Sequence, residues 1–184
     1  LLDIATFRNR ILTAVAEGGR VNALFCHEQE DQAHQLFALL AHPGQNTLEG
    51  IAARIGGEYP ALTPECPQVH LFEREMAESG GVTPVGHPWL KPVRFPARAG
   101  GPPVGHMDFY RVDGDEVHEV AVGPVHAGII EPGHFRFQCH GETVLHLEIS
   151  LGYQHRGVER ALIGGPDIRT LHYMETLAGD TTIG

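Results

Sequence analysis

Apolar residues Ile4, Phe7, Ile11, Leu12 and Val15 recur at helical spacing, with Asp3 placed to cap the start and Gly18-Gly19 to end the run. That pattern predicts an amphipathic first helix. Three shorter apolar stretches follow, Val21 to Cys26, Leu36 to Ala41 and Thr47 to Ile55, separated by polar or Gly/Pro-bearing segments such as His42-Pro43-Gly44. Short runs with such punctuation predict strands of an antiparallel sheet, although Ala and Leu also permit helix. A second helix is expected over Val69 to Glu78, after Pro64 and Pro67 and before Ser79-Gly80-Gly81.

From Pro84 to Val104 the chain carries six prolines and Gly100-Gly101, too many for the interior of a sheet or helix, so this stretch reads as an extended connector. Beyond it, Asp108 to Glu116 has the look of a hairpin around Asp113-Gly114. Two longer strand candidates, His134 to Cys139 and Thr143 to Leu151, are joined at His140-Gly141. Two helices should close the chain, one over His155 to Ile163 and one after Pro166, with Pro166 and Asp167 in its first turn. The expected fold class is α+β: a small antiparallel sheet with packed helices, a proline-rich connector, then a β-hairpin plus helices. The expected boundaries are a first domain over 1–95, a linker over 96–118 and a second part over 119–184.

With 184 residues and 42% hydrophobic content, the chain can bury one real core or two small ones. It opens on Leu1 and stops at Gly184 directly after a patterned segment, so we read it as cut from a longer polypeptide. A net charge of -10, from 23 acidic against 13 basic residues without a Lys/Arg cluster, argues against a nucleic-acid partner. The three cysteines, Cys26, Cys66 and Cys139, are too scattered for a disulfide framework or zinc knuckle, which fits a reducing compartment. No apolar run approaches the ~20 residues of a membrane span, and Arg8, Asn9 and Arg10 interrupt the opening segment, so no secretory leader is read there.

Thirteen histidines invite a metal-site reading, but no two lie four apart on an expected helix. The adjacent pairs Cys26-His27 and Cys139-His140 fall on strands, where neighbouring side chains point to opposite faces and cannot easily share an ion. His87 and His134 sit in Gly-His-Pro and Pro-Gly-His turns and read as structural. Gly100-Gly101-Pro102-Pro103 lacks the spacing and preceding strand of a dinucleotide loop.

Three motifs carry a family resemblance. FEREMAESGGVTPVGHPWLKPVRF, Phe72 to Phe95, resembles the end of the thirty-kilodalton-type subunit of respiratory complex I, where a Glu-Arg-Glu helix leads to a Gly-Ile-x-x-x-Gly-His-Pro-x-Leu turn; here Val82 takes the Ile place. GPVHAGIIEPGHFRF, Gly123 to Phe137, resembles the opening of hydrogenase-type large subunits, and GYQHRGVE, Gly152 to Glu159, their next helix start. In that order, with Trp89 and Lys91 to Phe95, they are similar to the fused large subunits of formate hydrogenlyase and hydrogenase-4 type complexes. The resemblance covers about His70 to Gly184. It implies a domain like the thirty-kilodalton subunit, followed by the start of a domain like the forty-nine-kilodalton subunit of complex I.

The resemblance also suggests site residues. Glu131 stands between Ile130 and Pro132-Gly133, apolar company in which a carboxyl can pass protons near neutrality. A Glu in a similar stretch serves as proton gate in nickel-iron hydrogenases. The plainer reading is that Glu131 caps a turn or pairs with Arg136 or Arg156. His126 would occupy the loop that reaches the quinone headgroup in complex I, although the His-Pro pair seen there is missing, which argues against quinone contact. In hydrogenase large subunits the segment after the Tyr-x-His-Arg-Gly helix supplies cysteines that hold nickel and iron. Alignment on Glu175 and Gly179 puts Ala178 and Thr181 at the first two Cys places. A methyl and a hydroxyl cannot replace thiolates, so a nickel-iron centre is expected to be absent and no cofactor is expected within this chain.

Two functions follow as expectations. One is an oxidoreductase subunit of a membrane-associated complex, receiving electrons from iron-sulfur clusters of a small partner subunit, with proton transfer near His126 and Glu131. The other is a non-catalytic docking subunit that positions the iron-sulfur partner against membrane-embedded subunits. Either way the chain would be inactive alone and would lie in the cytoplasm, peripheral on the inner membrane. NADH oxidation, where present, would belong to other subunits, and the apolar surface of the second half would be left uncovered.

Overall fold

The computed structural model describes residues 1–95 and 107–175, and the chain divides into two compact units, 1–107 and 108–184. In the first unit, α1 (Ile4–Ala16) begins where the Asp3 carboxylate accepts the Thr6 N–H at 2.9 Å and the Thr6 hydroxyl at 2.6 Å, satisfying an otherwise orphaned helix donor. It buries Phe7, Ile11 and Ala14. Against this face lies an antiparallel sheet ordered β1 (Arg20–Glu28), β2 (His34–His42), β3 (Thr47–Ile55). Strict alternation along β2 sends Leu36, Ala38 and Leu40 into the core. The opposite face carries Phe25 stacked on Phe37 at 5.2 Å.

A short parallel pair, β4 (Glu58–Pro60) with β5 (Thr83–Val85), flanks a 3-10 turn (Pro67–Val69) and α2 (His70–Gly80). Gly81 ends α2 in the left-handed region at φ 70°, where a side chain would be strained. β5 lies at the front of the stretch expected to be a connector. Two three-residue strands tolerate Pro60 and Pro84 because they have no interior ladder to interrupt.

The second unit is built on an antiparallel sheet ordered β6 (Val117–Val122), β7 (His134–His140), β8 (Thr143–Ser150). The β7–β8 hairpin turns at Gly141, as expected. The hairpin expected around Asp113-Gly114 does not form. Asp108 to Val112 runs extended, the turn at 113–116 leads into β6, and β6 pairs with β7 instead. The first closing helix is shorter than expected: α3 spans Val158–Ala161; α4 is described over Thr170–Glu175, and neither buries a residue there. α3 starts only after Gly157 at φ 68° and is followed by Gly164 and Gly165 at positive φ, while Pro166 and Asp167 precede α4 rather than enter it. The architecture is α+β, with small antiparallel sheets and a few helices. Among the described residues no helix is long and apolar enough to cross a membrane.

Candidate functional site

The first motif is a clamp. Helix α2 turns Glu73 inward, fully buried, where its carboxylate accepts four hydrogen bonds: Tyr59 hydroxyl at 2.9 Å, Leu62 N–H at 2.7 Å, Thr63 N–H at 2.9 Å and Thr63 hydroxyl at 2.6 Å. A buried carboxylate is tolerable only when so satisfied. Its presence and burial together push the Tyr59 phenol well above its ordinary range, burial contributing most. The next residue, Arg74, donates to the carbonyls of Lys91 at 2.7 Å and Pro92 at 2.9 Å. Glu78 accepts the consecutive backbone N–H groups of Val93, Arg94 and Phe95 at 3.1, 2.9 and 2.7 Å, and Glu75 pairs with Arg94 at 2.8 Å.

His87 completes this arrangement as the structural residue it was expected to be. Its side chain is 1% exposed, its Nδ1 accepts the Trp89 N–H at 3.0 Å, and its Nε2 lies 4.0 Å from Glu73. Burial lowers its pKa, partly offset by Glu73 and the His70 carbonyl. The Glu-Arg-Glu helix and Gly-His-Pro turn thus fasten the chain's exit from the first unit, with His87 Nε2 left buried and without a hydrogen-bond partner.

The second motif forms the loop between β6 and β7, residues 123–133. Its ends are tied by the Gly133 N–H donating to the Pro124 carbonyl at 3.1 Å and by His126, whose Nε2 lies 2.8 Å from the Gly133 carbonyl. That bond puts the proton on Nε2. The His126 ring also stands edge-on to Phe135, centroids 5.7 Å apart. Gly123, at φ 85°, admits this closure: a Cβ there would sit 2.7 Å from His126 Nε2 and closer still to the Gly133 carbonyl.

Glu131 is exposed, as are Ile129 and Ile130. The apolar company read from the sequence is present, but within this chain it does not shut out water. Arg136 is engaged by Glu119 in a two-pronged contact, 2.6 Å at Nε. The loop therefore brings His126 and Glu131 onto one element with different parts: His126 closes it, and Glu131 is presented by it.

A group that sequence reasoning missed lies on one face of the second sheet. Gln138, Glu148 and Ser150 are buried there, with Asp108 to Val112 laid across them. Tyr110 N–H donates to Glu148 at 2.8 Å and Val112 N–H to Gln138 at 3.4 Å. Gln138 donates to Glu119 at 2.7 Å, the Tyr110 ring packs tilted against His146, and Arg136 lies over the Phe109 ring. Alternation along β8 carried the signal, since His146, Glu148 and Ser150 share one face.

Ala178 and Thr181, the positions expected to replace the first two cysteines, lie outside the described residues. Among the described residues no group of three His, Cys, Asp or Glu could hold a metal ion. Cys26 and Cys66 are free thiols whose pKa burial raises, which suits inert packing rather than ligation.

No family model matches the chain. It is 33% identical over 123 residues, 56% of its length, to formate hydrogenlyase subunit 5 of Escherichia coli (strain K12). It is 31% identical over 122 residues to hydrogenase-4 component G of the same organism. A shorter stretch of 42 residues, 23% of the chain, is 40% identical to carbon monoxide-induced hydrogenase of Rhodospirillum rubrum. The matched stretches span 22% of each of the first two relatives and 12% of the third, so the chain corresponds to a minor part of these proteins. What it is similar to, over about half its length, is a set of hydrogenase and formate hydrogenlyase components.

Proposed function

We propose that this chain serves as the front of a large subunit in a membrane-associated oxidoreductase complex of the formate hydrogenlyase and hydrogenase-4 kind. In this reading the first unit is a docking domain like the thirty-kilodalton subunit of complex I, and the second opens a domain like the forty-nine-kilodalton subunit. The observation that carries it is the match to two hydrogenase components, at 33% identity over 123 residues and 31% over 122. The loop that carries Glu131 is tied at its ends by His126 and by the Gly133 N–H on the Pro124 carbonyl, which gives the proposed proton-transfer group a fixed mounting.

Electrons come from iron-sulfur clusters held by a small partner subunit, and Glu131 moves a proton at its carboxylate oxygen as charge reaches the acceptor. His126 positions the loop, with its proton on Nε2 and Nδ1 left as acceptor. The complex works without a nickel-iron centre, because Ala178 and Thr181 stand where thiolates are required. The chain contacts the membrane through partner subunits and is inactive by itself.

A docking role without catalysis is the second reading, favoured by the exposure of Glu131 and by the chain-fastening use of the first motif. Reduction of a quinone analogue or other acceptor by the intact complex separates the two. Glu131→Gln should cut turnover by about 10²-fold, the scale of a lost proton-transfer group. Unchanged turnover in that variant would leave only docking.

A further inference from the structure

His87 sits in the turn that follows β5, its side chain shut away from water and its two ring nitrogens in unlike surroundings. Nδ1 accepts the Trp89 N–H at 3.0 Å, which puts the proton of the neutral ring on Nε2. Nε2 is buried without a hydrogen-bond partner and faces the Glu73 carboxylate at 4.0 Å.

A second proton has no ready place on this ring. It must enter at Nδ1, where it meets the Trp89 N–H donor against donor. Glu73 is the counter-charge at hand, but 4.0 Å is beyond bonding distance and each of its oxygens already accepts two donors. Closing on an imidazolium would strip the carboxylate of Tyr59, Leu62 or Thr63. The other charged groups facing the ring from α2, Arg74 and His70, both oppose a positive charge there, while the His70 carbonyl favours one. Tyr59, from β4, faces Glu73 and is kept neutral by burial and by that carboxylate. Burial is the largest influence, so the ring in place resists the proton.

We infer that the His87 turn is an acid-operated latch: protonation at Nδ1 ejects the Trp89 N–H, and the segment from Gly86 to Lys91 opens, loosening the fastening by which the chain leaves the first unit. The ties around it suit a local release. Val82 and Pro84 anchor the entry in buried positions, and Glu78 holds Val93, Arg94 and Phe95 on the other side. Between those anchors the backbone is held by the His87 N–H on the Pro84 carbonyl at 3.2 Å, the Lys91 N–H on the Trp89 carbonyl at 3.0 Å, and the His87–Trp89 bond itself. Pro88 and Leu90 are exposed, so opening uncovers little apolar surface. Gly86, at φ 83° and in open space, gives the segment a pivot.

Linkage sets the size of the response. The opened ring titrates near 6.5 and the closed ring lower, so the open population gains up to about tenfold between about pH 7.5 and about pH 5.5. Hydrogen exchange of the full-length protein, read in peptides and corrected for the pH dependence of intrinsic exchange, tests this. Protection across Gly86 to Lys91 should fall by about five- to tenfold over that range while the amides of β2 keep theirs. His87→Asn keeps an acceptor for the Trp89 N–H but cannot titrate, so the difference should disappear. His70→Gln removes the neighbouring imidazole and should leave the difference intact; it decides alone if His87→Asn fails to fold. Equal protection at the two pH values in the unsubstituted protein overturns the inference. So does a fall that persists in His87→Asn, vanishes in His70→Gln, or spreads to β2, since each assigns the effect to another group or to general unfolding.

Discussion

Replacing Glu73 by Gln probes the clamp at its centre. The Gln oxygen can keep the Tyr59 hydroxyl and the Leu62 N–H, the two partners of Oε1. Its amide nitrogen then faces Thr63, whose N–H and hydroxyl both donate to Oε2 at 2.9 and 2.6 Å. The hydroxyl can rotate to accept, but the Thr63 N–H meets another N–H in a site closed to water. One buried donor left unsatisfied costs about 1–3 kcal/mol, and weakening the surviving bonds from charged to neutral brings the total to about 2–4 kcal/mol. At an m-value of about 2 kcal/mol/M the urea midpoint of the first unit should fall by roughly 1–2 M. Glu75→Gln, in the same helix but in a partly exposed pair with Arg94, should cost less than about 1 kcal/mol. Urea titration of both variants, followed by circular dichroism, decides. A Glu73→Gln midpoint equal to that of Glu75→Gln would refute the claim that the buried carboxylate organises residues 59–63.

Burial holds the native pKa of His87 below its ordinary 6.5, so the unfolded chain takes up the proton first, and stability present above pH 6.5 is lost as pH falls from there toward the lower native value. His87→Asn, which keeps an acceptor for the Trp89 N–H, should flatten that acid slope; an unchanged slope in urea titrations at about pH 7.5 and about pH 5.5 would contradict the assignment. Glu78→Ala removes the acceptor of three consecutive amides, so hydrogen exchange at Val93, Arg94 and Phe95 should quicken by at least about tenfold while the amides of β2 keep their protection. Gly123→Ala should destabilise the second unit by roughly 2–3 kcal/mol through contact with the Gly133 carbonyl, whereas Gly128→Ala, also at positive φ but in open space, should cost only about 1 kcal/mol. Thermal melts of the two variants that coincide would mean the loop is not closed as described.

What could be read beforehand, and what could not, follows the range of the interactions. Helix α1 and strands β1 to β3 were legible because cap, period and turn residues all act within a few positions of one another. Strand β6 was not, because His118 and Glu119 interrupt its apolar pattern and its existence depends on pairing with β7, across the whole intervening loop, from Val122↔Phe135 out to Val117↔His140. The expected hairpin at Asp113-Gly114 had the right turn chemistry, but the backbone N–H groups of Tyr110 and Val112 instead donate to Glu148 and Gln138 on the polar face of β7 and β8, partners far away in sequence. The motif from Gly123 to Phe137 pointed to Glu131 and His126, and the structure puts both in the loop between β6 and β7. Their division of labour was not, since it depends on the His126 bond to Gly133 and on which side of the loop meets solvent. The roles of Arg74 and Glu78 likewise needed the fold, because their partners are backbone atoms that no side-chain motif records.

A chain that works in an electron-transferring complex with an iron-sulfur partner and without a nickel-iron centre should carry that signature in its metal content. Elemental analysis of the native complex, purified through this chain, reads both halves at once. Stoichiometric iron with nickel at background is the predicted result; stoichiometric nickel, or a preparation free of iron, would contradict it.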